Sequence, residues 1–240
     1  MLDKQAIRER VWRRIDSDAT LRRPPGAQGR IPNFAGAEAA AEQLIQSPEW
    51  QAARVIKCNP DTPQHALRRA AVEAGKRLYM AVPKLTLETP FYELERSRLE
   101  VPAAEAVTIA GAHAHGSLVR LEDVQPIDLI VCGSVAVNRD GVRIGKGGGY
   151  ADLEFALLAE LGLVNEATVI ATTVHDVQLI DGDLPETSHD FRVDRIATPT
   201  RLYVCPRGER PRGIVWEDLG PEKIAAIPLL MARRAQRAPV

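Results

Sequence analysis

Arg54-Val-Ile-Lys-Cys58, closed by Asn59-Pro60-Asp61, is followed by the helical stretch Gln64–Ala74, by Gly75 and by Arg77-Leu-Tyr-Met-Ala-Val82. The two apolar runs are short and bounded by turn residues, so each predicts a strand. The segment between them has helical character and ends at a glycine. Strand, helix, strand in so few residues predicts a βαβ unit with parallel pairing, since the helix returns the chain to the same sheet edge.

Working outward, Ile127-Asp-Leu-Ile-Val-Cys132 is the near-continuous apolar run expected of a central parallel strand. Thr168–Val174 predicts another strand, and Arg195–Ala197 and Leu202–Cys205 predict two short late ones around Thr198-Pro-Thr. Tyr150–Leu161 is an amphipathic helix stopped by Gly162. Near the start, Asp3 to Ile15 predicts a helix capped by Asp3, with Ile7, Val11 and Ile15 on one face and basic residues on much of the rest. Arg22-Arg-Pro-Pro-Gly-Ala-Gln-Gly-Arg-Ile-Pro-Asn-Phe34 breaks regular structure, and Ala37–Gln46 predicts a second helix ending before Ser47-Pro48. Residues 84–125 give no clear pattern; His113 and His115 within them are read as one strand face with a metal-pair spacing but no third ligand. The tail from Trp216 predicts a loop and a short helix. The fold expected is a three-layer α/β/α sandwich with a mostly parallel, Rossmann-like sheet, in a single α/β domain spanning 1–240, with helix 3–15 at one end and 206–240 as a C-terminal extension.

Composition is that of an ordinary globular chain, with 45% hydrophobic and 26% charged residues in 240. A net charge of −1 gives no global field for nucleic acid or an anionic membrane, so neither is an expected partner, and a phosphate ligand must be held locally. No secretory h-region and no apolar run long enough for a bilayer are present, which predicts a cytoplasmic protein. Cys58, Cys132 and Cys205 are far apart in apolar surroundings and read as buried thiols.

The segment richest in chemistry is Gly141-Val-Arg-Ile-Gly-Lys-Gly-Gly-Gly-Tyr-Ala-Asp152. Its glycines let backbone N–H groups approach an anion, and the following helix adds unpaired N–H groups and a positive dipole end. Arg143 and Lys146 would supply mobile charge to phosphate oxygens, and Asp152 is placed to hold Mg²⁺. The spacing is neither a Walker A loop nor a dinucleotide-binding GxGxxG after a first strand.

The string Asp128-Leu-Ile-Val-x-Gly133, then Gly141-x-Arg143-Ile-Gly-Lys-Gly-x-Gly-Tyr150-x-Asp152, resembles the signature of the 5-formyltetrahydrofolate cyclo-ligases. Lys4-x-x-Ile-Arg8 is similar to the opening of that family, and Leu184-Pro185, His189-Asp190 and Val193-Asp194 to its second block. Arg30-Ile-Pro-Asn-Phe34, Asn59-Pro-Asp61, Gly133-Ser-Val-Ala136 and Ile144-Gly-Lys-Gly147 resemble the subgroup of methenyltetrahydrofolate synthetase domain-containing proteins more closely. The resemblance implies ATP and Mg²⁺ as cofactors and a reduced folate as the small-molecule substrate. The reaction it implies is that of the family: the formyl oxygen of 5-formyltetrahydrofolate attacks the γ-phosphate of ATP, and ring closure then yields 5,10-methenyltetrahydrofolate, ADP and phosphate.

Residue by residue, the resemblance implies ATP binding by Lys4, Arg8, Arg143, Gly145, Lys146, Gly147, Gly148, Gly149 and Tyr150, with Lys146 and Arg143 acting on the reacting phosphate. It implies Asp152 and Asp190 as magnesium carboxylates, and Asp61, Tyr150 and His189 at the second substrate, His189 also positioning Asp190. His175-Asp176, at a strand end, is a further candidate. The chain departs from the family pattern at Val137, Asn138 and Ala151, where aromatic, acidic and second tyrosine residues are usual. These departures predict a retained nucleotide site beside an altered second pocket. A paralogue using ATP on another heterocycle, and a non-catalytic binding module, are the alternatives.

Overall fold

The computed structural model describes residues 3–237. β1 (Val55–Cys58) and β2 (Arg77–Ala81) pair in parallel with Val55 opposite Arg77, joined by α4 (His65–Glu73). On the other side of β1 lies β5 (Leu129–Gly133), followed outward by β8 (Val169–Thr173) and β9 (Arg195–Ala197), all parallel. Antiparallel strands finish both edges: β3 (Phe91–Leu94) and β4 (Ser117–Val119) beyond β2, and β10 (Leu202–Val204) beyond β9. The strand order is β10-β9-β8-β5-β1-β2-β3-β4. The chain moves outward from β1 in one direction and then returns to continue from β5 in the other. The β1/β5 boundary is therefore a switch point, and the crevice beyond its strand ends is where open α/β sheets hold ligands.

Alternation along the strands supplies the two outer layers. Ile130 and Cys132 of β5 pack with Leu153, Phe155 and Leu157 of α7 (Tyr150–Glu160), and with Ile224 of α8 (Pro221–Ala226) and Leu230 of α9 (Pro228–Arg237). Leu129 and Val131 pack on the opposite face with Leu44 of α2 (Ala37–Ile45) and Leu67 and Val72 of α4. This is the three-layer, mostly parallel architecture expected, and the predicted strands fall within a residue or two of the observed ones.

Several expectations are corrected. Ser47-Pro48 does not merely end α2: Ser47 accepts from the Trp50 amide at 3.2 Å and starts α3 (Pro48–Ala52) with proline in its first turn. The tail holds two helices, α8 and α9. Residues 84–125 contain β3, β4, α5 (Ala103–Ala106) and α6 (Ile109–His115). His113 and His115 thus lie on a helix, where residues two apart point about 200° from each other. His113 Nδ1 is 3.2 Å from the Tyr92 hydroxyl, so the pair forms no shared metal face.

α1 (Lys4–Asp16) begins where its cap predicts, with Asp3 accepting from the Ala6 amide at 2.7 Å. Its Ile7, Val11, Trp12 and Ile15 form a separate small core with Val135, Ala136, Val142 and Ile144. Those partners surround the antiparallel hairpin of β6 (Ala136–Val137) and β7 (Arg143–Ile144). The apolar stripe of the first helix therefore docks beside the glycine-rich segment and brings the helix's basic residues to it. All three cysteines are buried and unpaired, and burial pushes the Cys58 thiol up to about 11. Among the described residues no helix is long and apolar enough to cross a membrane.

Candidate functional site

The glycine-rich loop runs from β7 to the start of α7. Gly147 (φ +101°) and Gly149 (φ +62°) adopt left-handed backbone that a side chain would strain. Gly149 occupies the N-cap of α7 with no side-chain cap, so the first amides of the helix are left for another acceptor.

Beneath the loop, Arg143 is fixed rather than mobile. Its guanidinium is buried, donates to Asp152 Oδ1 at 2.5 Å and lies 4.1 Å from the centre of the Phe191 ring. Burial alone would make it less basic, but Asp152 and Asp190 outweigh that and raise its pKa. Its Nε is buried without a hydrogen-bond partner among the described residues.

From the other side α1 clamps the loop. Arg8 Nε donates to the Gly145 carbonyl at 2.7 Å, and its guanidinium lies against Gly147. Burial lowers the Arg8 pKa, opposed by Asp190 and Asp3. Lys4 donates to Asp190 Oδ2, which also accepts from the Thr187 amide at 2.6 Å and hydroxyl at 2.8 Å. Burial would raise the Asp190 carboxyl, but these donors hold it below the usual carboxylate range.

A cavity of about 460 Å³ opens at the switch point, lined by Asn59 and Asp61 after β1, Gly133 at the end of β5, Lys146, Tyr150 and Asp152. Gly145, Gly148, Gly149 and Arg143 also reach it. Lys146 Nζ spans it to Asp61 Oδ1 at 2.8 Å; its side chain is 46% exposed and free to swing, unlike Arg143. Asp61 is anchored from behind by buried Arg68, whose Nη1 donates to the Asn59 carbonyl at 2.7 Å and the Asp61 carbonyl at 2.9 Å, while Nε donates to the Val107 carbonyl at 2.9 Å. Replacing Arg68 with methionine orphans three carbonyls and is expected to cost about 2–4 kcal/mol, read from urea melts against wild type. A loss under about 0.5 kcal/mol, the size of an ordinary surface change, would refute this anchoring.

Two lysines near the site, one behind the large cavity's Asn59 and Glu154 and one on a smaller cavity, lie outside the sequence expectations. Lys57 of β1 donates to Glu154 Oε2, which also accepts from Asn59 Nδ2 at 3.1 Å; Lys57 and Glu154 are 2% and 4% exposed. A lone lysine in an apolar strand carries no sign of its distant partner. The second is Lys223 of α8, which donates to the Gly148 carbonyl and sits 4.7 Å from the centre of the Tyr150 ring.

The remaining candidates sort themselves by position. Asp152 and Asp190 flank Arg143. His189 faces a smaller cavity of about 90 Å³ with Gly149, Asp152 and Lys223, and lies 2.6 Å from Asp218. Thr187 and Lys4, more than His189 (3.9 Å), orient Asp190. His175 caps the turn Asp176–Gln178 through the Val177 amide at 3.2 Å and edges the Phe34 ring, a structural post. Asn138 is buried and ties its own hairpin, accepting from the Val142 amide at 2.9 Å and donating to the Gly182 carbonyl at 3.0 Å. Val137 is buried in the core. Of the three departures expected to alter a pocket, only Ala151 lines the large cavity.

Residues 1–199 match the model of the 5-formyltetrahydrofolate cyclo-ligase family. A methenyltetrahydrofolate synthase domain-containing protein of Bos taurus is 38% identical over 98% of this chain, and one of Homo sapiens is 34% identical over 98%. The chain spans only 63% of the bovine protein and 62% of the human one. The 5,10-methenyltetrahydrofolate synthetase of Aquifex aeolicus superposes with a TM-score of 0.55 at 20% identity, covering 86% of this chain and 94% of that one.

Proposed function

The chain belongs to the 5-formyltetrahydrofolate cyclo-ligase family, and from that premise we propose that it is an ATP- and Mg²⁺-dependent cyclo-ligase that closes 5-formyltetrahydrofolate to 5,10-methenyltetrahydrofolate. The observation that carries this reading is the convergence of α1, the glycine loop and the Thr187–Asp190 segment on one point. Three segments remote in sequence present Lys4, Arg8, Arg143 and the open amides of α7 around a loop whose conformation favours glycine at two positions. Such a surface suits a polyphosphate: fixed N–H dipoles and cations neutralise its oxygens without reorganising.

The residues divide the work. The amides of Gly147, Gly148 and Gly149 with Arg8 cradle the phosphates. Arg143 holds Asp152 in place, and Asp152 and Asp190 each keep an oxygen outside those contacts, a donor set fitting Mg²⁺ that retains waters and phosphate ligands. ATP supplies activation of the formyl oxygen as a phosphate ester. Lys146 swings from Asp61 to the reacting phosphate, and its release frees Asp61 to meet the reduced folate in the large cavity beside Tyr150. Alignment of two small reactants in one crevice is itself a large part of the rate.

The test is the absorbance of the methenyl product when the protein is mixed with 5-formyltetrahydrofolate, ATP and Mg²⁺. Product that requires all three supports the proposal. A second reading, the same nucleotide site acting on another heterocycle, is favoured by Ala151 on the cavity wall, where the family motif has a ring. ATP binding by calorimetry without methenyl formation would select it, and absence of ATP binding would leave a non-catalytic module.

A further inference from the structure

Resting on that nucleotide reading, we infer that Lys223, on a helix beyond the family-matched residues 1–199, is a polyphosphate-binding residue of this chain. Its ammonium reaches the loop at Gly148 and Gly149, whereas Arg8 of α1 meets it at Gly145 and Gly147, so residues from near both ends of the chain grip the loop. Nζ donates to the Gly148 carbonyl, lies over the Tyr150 ring and stands 3.0 Å from where a Cβ on Gly149 would be. That places it over the start of α7, on the wall of the smaller cavity shared with Asp152 and His189.

The electrostatics of the cluster call for an anion there. Lys4, Arg8, Arg143, Lys146 and Lys223 surround the loop. The facing carboxylates are Asp152, held by Arg143; Asp190, held by Lys4; and Asp61, held by Lys146. Asp3 at the start of α1 adds to the field at Arg8, and Asp218 sits on His189. Lys223 contacts one carbonyl acceptor and an aromatic face; the carboxylate whose field reaches it is Asp152, already committed to Arg143. An ammonium has three donors, and one with a single carbonyl partner in the protein keeps donors for solvent or for a ligand oxygen. A phosphate oxygen entering over Gly149 would satisfy it without moving the backbone.

A structural tie between α8 and the loop would use the same contacts, and the number of phosphates separates the two roles. Calorimetric affinities of the full chain for ATP, ADP and AMP, each with Mg²⁺, should be compared for wild type, Lys223→Met and Lys223→Arg. Charge binding predicts that Lys223→Met weakens ATP by about tenfold or more, ADP less and AMP least, with Lys223→Arg recovering most of the loss. Unchanged ATP affinity in Lys223→Met overturns the inference, as does an equal loss for all three nucleotides, which marks a tie alone. Should Lys223→Met fail to fold, Lys223→Gln replaces it, with the same two outcomes: a loss graded from ATP to AMP supports the inference, and an equal loss or none overturns it. Wild-type protein that binds no ATP overturns the nucleotide reading itself, a result separate from either of these.

Discussion

Asp152→Asn is expected to lower ATP-dependent turnover at least about a hundredfold and to raise the Mg²⁺ concentration needed for half-maximal rate. The substitution keeps shape and removes charge. Asp152 stands in the first turn of α7, on the wall of the large cavity, with Oδ1 committed to Arg143. Losing the carboxylate takes away one proposed metal donor and leaves the buried guanidinium with the field of Asp190 and the Phe191 ring. The second effect destabilises the fold as well, by up to about 3 kcal/mol. Rates should therefore be taken well below the melting temperature and across a magnesium titration. Wild-type rate and magnesium dependence in the folded variant would sink the assignment of Asp152.

The largest expected effect on stability comes from Lys57→Met. Glu154 would remain buried with Asn59 as its one side-chain donor among the described residues. Stripping one member from a buried ion pair costs about 3–5 kcal/mol. The double variant Lys57→Met/Glu154→Leu removes both charges and is expected to regain most of that, because the desolvation of each is then avoided. Urea melts of the two single variants and the double give the coupling energy directly. A Lys57→Met variant as stable as wild type would refute the ion pair as a support of the fold.

Those two pairs also mark where the sequence was readable. The parallel core was legible because β1, β2, β5 and β8 are apolar on both faces and bounded by turn residues, and no helix pattern competes with them. The glycine loop was legible because few contexts need four glycines in five positions. Lys4 and Arg8 stood out only through their resemblance to a family motif; alone they are an ordinary basic helix face. Residues 84–125 hid the edge strand β4, its inner neighbour β3 and two short helices, since such strands are brief and carry a weak alternation. The partners of Lys57 and Lys223 lie 97 and 75 residues away, a pairing that only the closed tertiary structure dictates. His113 and His115 misled because spacing of two reads as a strand face unless the helix is recognised first.

The grip on the glycine loop from α1 and from α8 ties binding to the order of synthesis. Arg8 emerges early and must wait for Gly145, 137 positions later, before it has anything to hold. Lys223 arrives after every strand of the large sheet has been made. A chain cut short between residues 205 and 222 would hold every strand of the large sheet and yet lack the Lys223 contact with the loop, and with it the second grip proposed for a nucleotide. Such a chain would also lack Ile224 and Leu230, which pack into the core with β5, so early release would cost packing and grip together.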